Sequence, residues 1–289
     1  MTKSKVKIGW VGDFKRNGKQ FDLAYLVAKQ LDAELVVAGP VDSVIYVDHG
    51  EMPGFYRELD CLLVTSAFEA HPLCVYEALA CGCPVLLEMG VGDCYVNNVR
   101  GVFYYKGFDV DNICKAVKSV LKHREQMSGD GVKCIQTEWN WGVVKPSYET
   151  LFRDVSGVDY PQVLWLIDVE DWSWAFMGKE MKQYVWRHLK DVYVSTVRRD
   201  YLDKVIKECD VVMNHVWNLG DFNVPPEKNV LCVNNPSFIH PSNAELFYKA
   251  VDGCVALTTV SLPVVDMLRF MGKPVYYASR GVDLEKFHP

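Results

Sequence analysis

The sequence predicts two doubly wound α/β domains built on parallel sheets, and three observations carry this. Short apolar runs alternate along the whole chain with segments whose apolar residues recur at helical spacing. Both halves close a helix with Gly and enter a strand with Pro, in Gly82-Cys83-Pro84-Val85 and in Gly272-Lys273-Pro274-Val275. The 289 residues, 49% of them apolar, hold material for two cores near the common domain size.

In the first half the strands fall near 6–12, 34–39, 44–48, 61–65, 84–88 and 101–104. Each is an apolar run bounded by turn residues, as in Cys61-Leu62-Leu63-Val64. Phe21 to Ala28 has the apolar spacing of a helix, and an Ala-rich helix after Ser66 closes at Gly82 before Pro84. This order places Glu69 in the loop at a strand's carboxyl end and Glu77 inside the following helix. In the second half strands fall near 163–168, 192–196, 209–214, 229–234, 254–259 and 274–278, with a helix through Ala244 to Val251. The turn-rich Ser156-Gly157-Val158-Asp159-Tyr160-Pro161 marks the boundary, dividing the chain into 1–156 and 157–289.

Composition narrows the function classes. No apolar stretch approaches the roughly 18–20 residues of a membrane span, and Met1-Thr2-Lys3-Ser4-Lys5 lacks the apolar core of a signal peptide, so a cytoplasmic protein is expected. The ten cysteines are scattered without a CxxC pair and read as reduced core residues. Cys81 and Cys83 have no second Cys/His pair of matching spacing, and no metal site is expected. A net charge of −6 argues against a long nucleic-acid footprint.

The window Thr65-Ser66-Ala67-Phe68-Glu69-Ala70-His71-Pro72-Leu73-Cys74-Val75-Tyr76-Glu77 resembles the two-glutamate motif of retaining glycosyltransferases of the GT-B fold, family 4 in particular. The resemblance covers roughly residues 5–154 and is to the carboxyl-terminal domain of those enzymes. Ile8-Gly9-Trp10-Val11-Gly12 looks like its first strand, and Glu34-Leu35-Val36-Val37-Ala38-Gly39-Pro40 like its second. Gly90-Val91-Gly92-Asp93 and Val99-Arg100-Gly101-Val102 stand where the family has a Gly-containing loop and the next strand. Three positions depart from the pattern: Ala70 replaces the usual Gly, Asp13 stands where a basic residue is expected, and Lys19 sits one place late.

Residues 163–289 resemble the amino-terminal domain of the same enzymes. Their closing segment, Ser279-Arg280-Gly281-Val282-Asp283-Leu284-Glu285-Lys286-Phe287-His288-Pro289, is similar to the family's linker into the carboxyl-terminal domain. Trp139 to Arg153 is similar to the helix that crosses back onto the first domain. The resemblance thus implies two Rossmann-like GT-B domains in circularly permuted order; tandem transferase units in a longer chain are the alternative.

The resemblance also implies a chemistry. A nucleoside-diphosphate sugar, UDP- or GDP-linked, is the expected donor, with no permanently bound cofactor and no metal requirement. Lys19, with Lys15 or Arg16, supplies positive charge to the leaving diphosphate, and backbone N–H groups near Ala70, His71, Pro72 and Leu73 add a helix terminus. Glu69 lies against the donor sugar, and Glu77 accepts from the ribose hydroxyls. His215, after the apolar strand Val211-Val212-Met213-Asn214, is the second catalytic candidate, facing the donor sugar. Asp168, Asp171 and Trp172 replace the family's Gly-rich loop and are acceptor-side candidates, since aromatic faces stack on sugars or bases. Transfer with retention, the donor phosphate taking the acceptor's proton, requires no protein nucleophile. The domains are expected to close around the donor.

Taken without the resemblance, Lys15, Arg16 and Lys19 are solvated loop cations, His215 is a polar strand terminus, and the segment from Asp168 is a packed turn. The acceptor stays open between a saccharide, a small molecule and a modified DNA base, the last because the size and permuted order suit a viral or phage enzyme in a host cytoplasm. Two other readings stand beside the transferase: an inactive nucleotide-sugar-binding protein, and a nucleotide-dependent oxidoreductase. The oxidoreductase reading is opposed by the lack of a GxGxxG fingerprint.

Overall fold

The computed structural model describes residues 5–39, 46–67, 69, 72–91, 99–168, 173–216, 222–234 and 241–289. The chain forms two compact units, Met1–Asn140 with Val282–Pro289, and Trp141–Gly281.

Unit 1 runs β1 (Lys7–Val11), α1 (Phe21–Gln30), β2 (Glu34–Ala38), α2 (Met52–Arg57), β3 (Cys61–Val64), α3 (Leu73–Ala80), β4 (Val85–Glu88), β5 (Val102–Tyr105), α4 (Val110–Lys122) and α5 (Arg124–Glu138). Its parallel sheet has the order β2-β1-β3-β4-β5. Tyr56, Val75, Leu79, Cys134 and Ile135 cover one face, while Ala24, Val27, Ile113 and Val117 cover the other. With both faces covered, the central strands are unbroken apolar runs, and every residue of β3 is buried. Asp109 caps α4 by accepting from the Asn112 amide at 2.9 Å. Gly82 ends the α3 region in the left-handed conformation, φ +77°, which glycine adopts without a Cβ penalty.

Unit 2 begins with α6 (Trp141–Ser156) and continues β6 (Val163–Ile167), α7 (Ser173–Tyr184), β7 (Leu189–Tyr193), α8 (Arg199–Glu208), β8 (Val211–Asn214), β9 (Asn229–Cys232), α9 (Ala244–Asp252), β10 (Ala256–Thr259), α10 (Leu262–Leu268) and β11 (Val275–Tyr277). The strands form a parallel sheet of order β11-β10-β9-β8-β6-β7. The structure therefore holds two parallel-sheet α/β domains, each with helices on both faces.

The units do not divide at 156/157. Trp141, Val144, Tyr148, Leu151 and Phe152 of α6 share a core with Val163, Trp165, Met181 and Trp186, so this helix belongs to unit 2. Conversely, Val282 and Phe287 lie in the core of unit 1, where the Val282 amide donates to Trp139 O at 2.8 Å. The two ends of unit 2 are clasped: Glu180 accepts from Trp141 Nε1 at 3.1 Å and pairs with the buried Arg280 at 3.2 Å. Gly281 is required there, because a Cβ would lie 2.6 Å from Trp141 Cα and N.

Most strands lie within a residue or two of the sequence expectation, with two exceptions. Of the strand expected at 44–48, residues 44 and 45 lie outside the described residues; Tyr46 forms only an isolated bridge with Gly39, and residues 47 and 48 belong to no strand. The strand expected at 192–196 is β7, three residues earlier. Lys190 and Asp191 break its apolar pattern, which an edge strand tolerates. Nine of the ten cysteines are described, all free and mostly buried. Among the described residues no helix is long and apolar enough to cross a membrane, and no three His, Cys, Asp or Glu groups gather as metal ligands.

Candidate functional site

The order of the unit 1 sheet puts a topological switch point between β1 and β3, the edge at which open α/β sheets bind ligands. Two connections leave that edge, residues 12–20 after β1 and the segment that starts at Thr65 after β3. They are tied together from below. Trp10 Nε1 donates to Thr65 Oγ1 at 2.9 Å, and the Thr65 hydroxyl donates to Lys19 O at 2.7 Å. The Ala67 amide donates to Gly18 O at 2.8 Å. Thr65 is fully buried, so the register of Lys19 is fixed by a shielded hydrogen bond rather than by the exposed loop.

Above this scaffold the Lys19 ammonium pairs with the Glu69 carboxylate. Their side chains are 25% and 13% exposed, so the pair is shielded but still reachable by a ligand. The other two expected cations are not brought to it. Arg16 Nε lies 3.5 Å from Asp13, whose carboxylate also accepts from the Lys15 amide at 2.9 Å. Asp13, standing where a basic residue was expected, thus organises the loop that carries both.

Pro72 and Leu73 stand at the start of α3, where Pro72 gives no side-chain cap and its carbonyl accepts from the Val75 amide at 3.0 Å. Ala70 and His71 lie outside the described residues. Burial, followed by the nearby Glu69, pushes the Cys74 thiol up to about 12, which leaves no thiolate nucleophile on this helix.

Glu77, one turn before the end of α3, is 6% exposed, and each of its oxygens has a partner within unit 1. Tyr56 OH donates to Oε2 at 3.0 Å, and His49 Nε2 lies 3.2 Å from Oε1. Burial and the neighbouring Glu77 hold the Tyr56 phenol well above its ordinary value, so it stays a donor. The His49 ring is reached on its other nitrogen by Lys286 Nζ at 2.7 Å. Thr65, Tyr56, His49 and Lys286 were not among the residues expected at this site. Thr65 and Lys286 lay in recognised segments, but nothing local signals that the Thr65 hydroxyl reaches Lys19 O or that the partner of Lys286 is His49.

Unit 2 has its own switch point, between β6 and β8. Asp168 follows β6, its carbonyl accepting from the Ser195 amide at 3.1 Å, and His215 follows β8, its amide donating to Leu166 O at 3.0 Å. Asn234 Nδ2 donates to His215 Nδ1 at 3.2 Å, and the ring lies against Trp165, centroids 4.4 Å apart. Burial pushes the imidazole down to about 3, so it is neutral at neutral pH. Asp171 and Trp172 lie outside the described residues.

Comparison with solved structures finds partial similarity. The C-terminal domain of a glycosyl transferase group 1 family protein from Francisella tularensis aligns at 19% identity and TM-score 0.39, covering 46% of this chain and 85% of that one. The catalytic domain of Starch Synthase IV from Arabidopsis thaliana, bound to ADP and acarbose, aligns at 15% identity and TM-score 0.38, with 52% and 38% covered. TarM aligns at 12% identity and TM-score 0.39, with 50% and 34% covered. The chain thus spans little more than a third of the last two. Comparison with curated proteins finds no match. Residues 3–129, which hold Lys19, Glu69 and Glu77 and lie wholly within unit 1, match the family described as Glycosyl transferases group 1.

Proposed function

We propose that the chain is a glycosyltransferase of GT-B type that moves a sugar from a nucleoside diphosphate to an acceptor hydroxyl with retention, unit 1 serving as the donor domain and unit 2 as the acceptor-side domain. The observation that carries this is the Lys19–Glu69 pair at the switch point of unit 1, in the segment that matches the glycosyl transferase family.

The chemistry follows from the charges. As the anomeric bond stretches, negative charge builds on the departing phosphate and positive charge on the anomeric carbon. Lys19 and the amino terminus of α3 favour the first. Glu69, released from Lys19 as the diphosphate takes the ammonium, favours the second and holds the sugar hydroxyls. Glu77, held by Tyr56 and His49, is the carboxylate that receives the ribose hydroxyls. His215, neutral, serves in unit 2 as a hydrogen-bonding group and not as a cation. The acceptor's proton goes to the donor phosphate, so no protein nucleophile takes part. The return of Val282–Pro289 to unit 1 supports a domain order permuted relative to the resembled enzymes.

The test is titration calorimetry of the full chain with UDP, GDP, UDP-glucose and GDP-mannose without added metal, followed by a hydrolysis assay on the sugar nucleotide that binds. Saturable binding with slow release of free nucleotide is expected. Binding without turnover, with every acceptor screened, would leave a nucleotide-sugar-binding protein, and no binding at all would refute the donor site.

A further inference from the structure

Lys286 belongs to the segment Val282–Pro289, which returns to unit 1 from the far end of the chain. The segment is firmly seated. Phe287 is 1% exposed and packs beside His49 and Tyr56, and Arg57 Nη1 donates to His288 O at 3.0 Å. The Lys286 amide donates to Asp283 Oδ1 at 3.2 Å, which sets the direction in which its side chain leaves the backbone.

From there Nζ reaches His49 Nδ1 at 2.7 Å, and this contact constrains the proton on the ring. An ammonium has three donors and no acceptor, so Nδ1 must offer a lone pair. A neutral imidazole with an unprotonated Nδ1 carries its hydrogen on Nε2, and Nε2 lies 3.2 Å from Glu77 Oε1. A doubly protonated ring would set a second donor against Lys286. On this tautomer the two oxygens of Glu77 receive neutral donors from His49 and from Tyr56.

We propose that Lys286 is a positioning residue for the nucleotide site: it fixes the Nε2–H tautomer of His49, and through it the orientation in which Glu77 receives the ribose diol of a nucleoside diphosphate. This rests on the donor-site reading of unit 1. The relay explains why a residue 237 positions from His49 in sequence is needed at a buried carboxylate of α3. It also assigns a function to the terminal part of the linker-like segment beyond connecting the units.

The experiment has two arms. In the first, long-range nitrogen–proton correlation on histidine-labelled full chain should show His49 with an unprotonated Nδ1 and a protonated Nε2. A proton on Nδ1 in the wild type would overturn the relay without any substitution. In the second arm, UDP (or GDP, if UDP gives no heat) and its 2′,3′-dideoxy counterpart are titrated into wild type, Lys286→Met and Lys286→Arg, each checked for an intact melting transition. Lys286→Met should weaken the ribose nucleotide by roughly fivefold and leave the dideoxy nucleotide unchanged, with Lys286→Arg restoring the difference. Equal binding in wild type and Lys286→Met, or an equal loss for both nucleotides, would overturn the inference while leaving the donor site standing. Absence of heat in the wild type itself would overturn the donor-site reading and this inference with it.

Discussion

Lowering the pH isolates the contribution of His215. In the folded chain burial holds its imidazole near about 3, against an ordinary value of 6.5. The unfolded chain therefore takes up a proton that the folded chain refuses, and stability must fall with pH across this window. Above the ordinary value the two states bind alike and nothing is lost; below about 3 both are protonated and the loss is complete. At pH 5 the unfolded side chain is favoured by protonation roughly thirtyfold, equivalent to about 2 kcal/mol. His215→Phe keeps a ring against Trp165 and removes the titration. Urea unfolding of both proteins at pH 8, 6 and 5 should give a wild-type-minus-variant difference that shrinks by about 2 kcal/mol over that range, the other groups cancelling. Parallel stability curves would refute the neutral, desolvated histidine, as would an activity limb near the ordinary imidazole value that the variant lacks.

Other substitutions separate the roles in unit 1. Glu69→Ala should lower kcat by about a hundredfold, since its charge acts on the developing transition state, whereas Glu77→Ala should act mainly by raising the donor KM roughly tenfold; steady-state kinetics on the active sugar nucleotide would show the reverse split if the roles are exchanged. Lys19→Met should weaken nucleotide binding about tenfold by calorimetry and Lys15→Met less than about twofold, because only Lys19 is held at the switch point. Tyr56→Phe removes a donor from a buried carboxylate and should destabilise unit 1 by about 1.5–3 kcal/mol in urea unfolding, with an unchanged midpoint counting against the Tyr56–Glu77 hydrogen bond.

Much of the architecture was legible because the central strands, covered on both faces, are plain apolar runs such as Cys61–Val64 and Val163–Ile167. The edge strand was less so, since the exposed Lys190 and the half-buried Asp191 interrupt its apolar run. Lys19 and Glu69 stand fifty positions apart, yet each follows one of two adjacent strands, so fold topology was enough to bring them together. Position along the chain could not show that Lys19 rather than Arg16 faces the glutamate. That depends on the Thr65 hydroxyl and on Asp13 occupying Arg16. Nor could it join Lys286 to His49, whose contact depends on a segment crossing back into unit 1. The affiliation of α6 was hidden for a related reason: its apolar face fits either neighbour in sequence, and only packing against Trp165 and Trp186 decides it.

The clasp at Glu180 bears on the order in which the chain folds. Trp141 and Arg280 both bind that carboxylate, so once unit 2 has formed, Asn140 and Val282 are delivered side by side. Without it, seating Phe287 beside Tyr56 would require closing a flexible loop of about 140 residues, at an entropic cost on the order of 4 kcal/mol. A folded insert with meeting ends makes that closure nearly local. Unit 1 then behaves as an interrupted protein whose last strap docks late, and damage to the clasp should slow its maturation even though no residue of the clasp belongs to it.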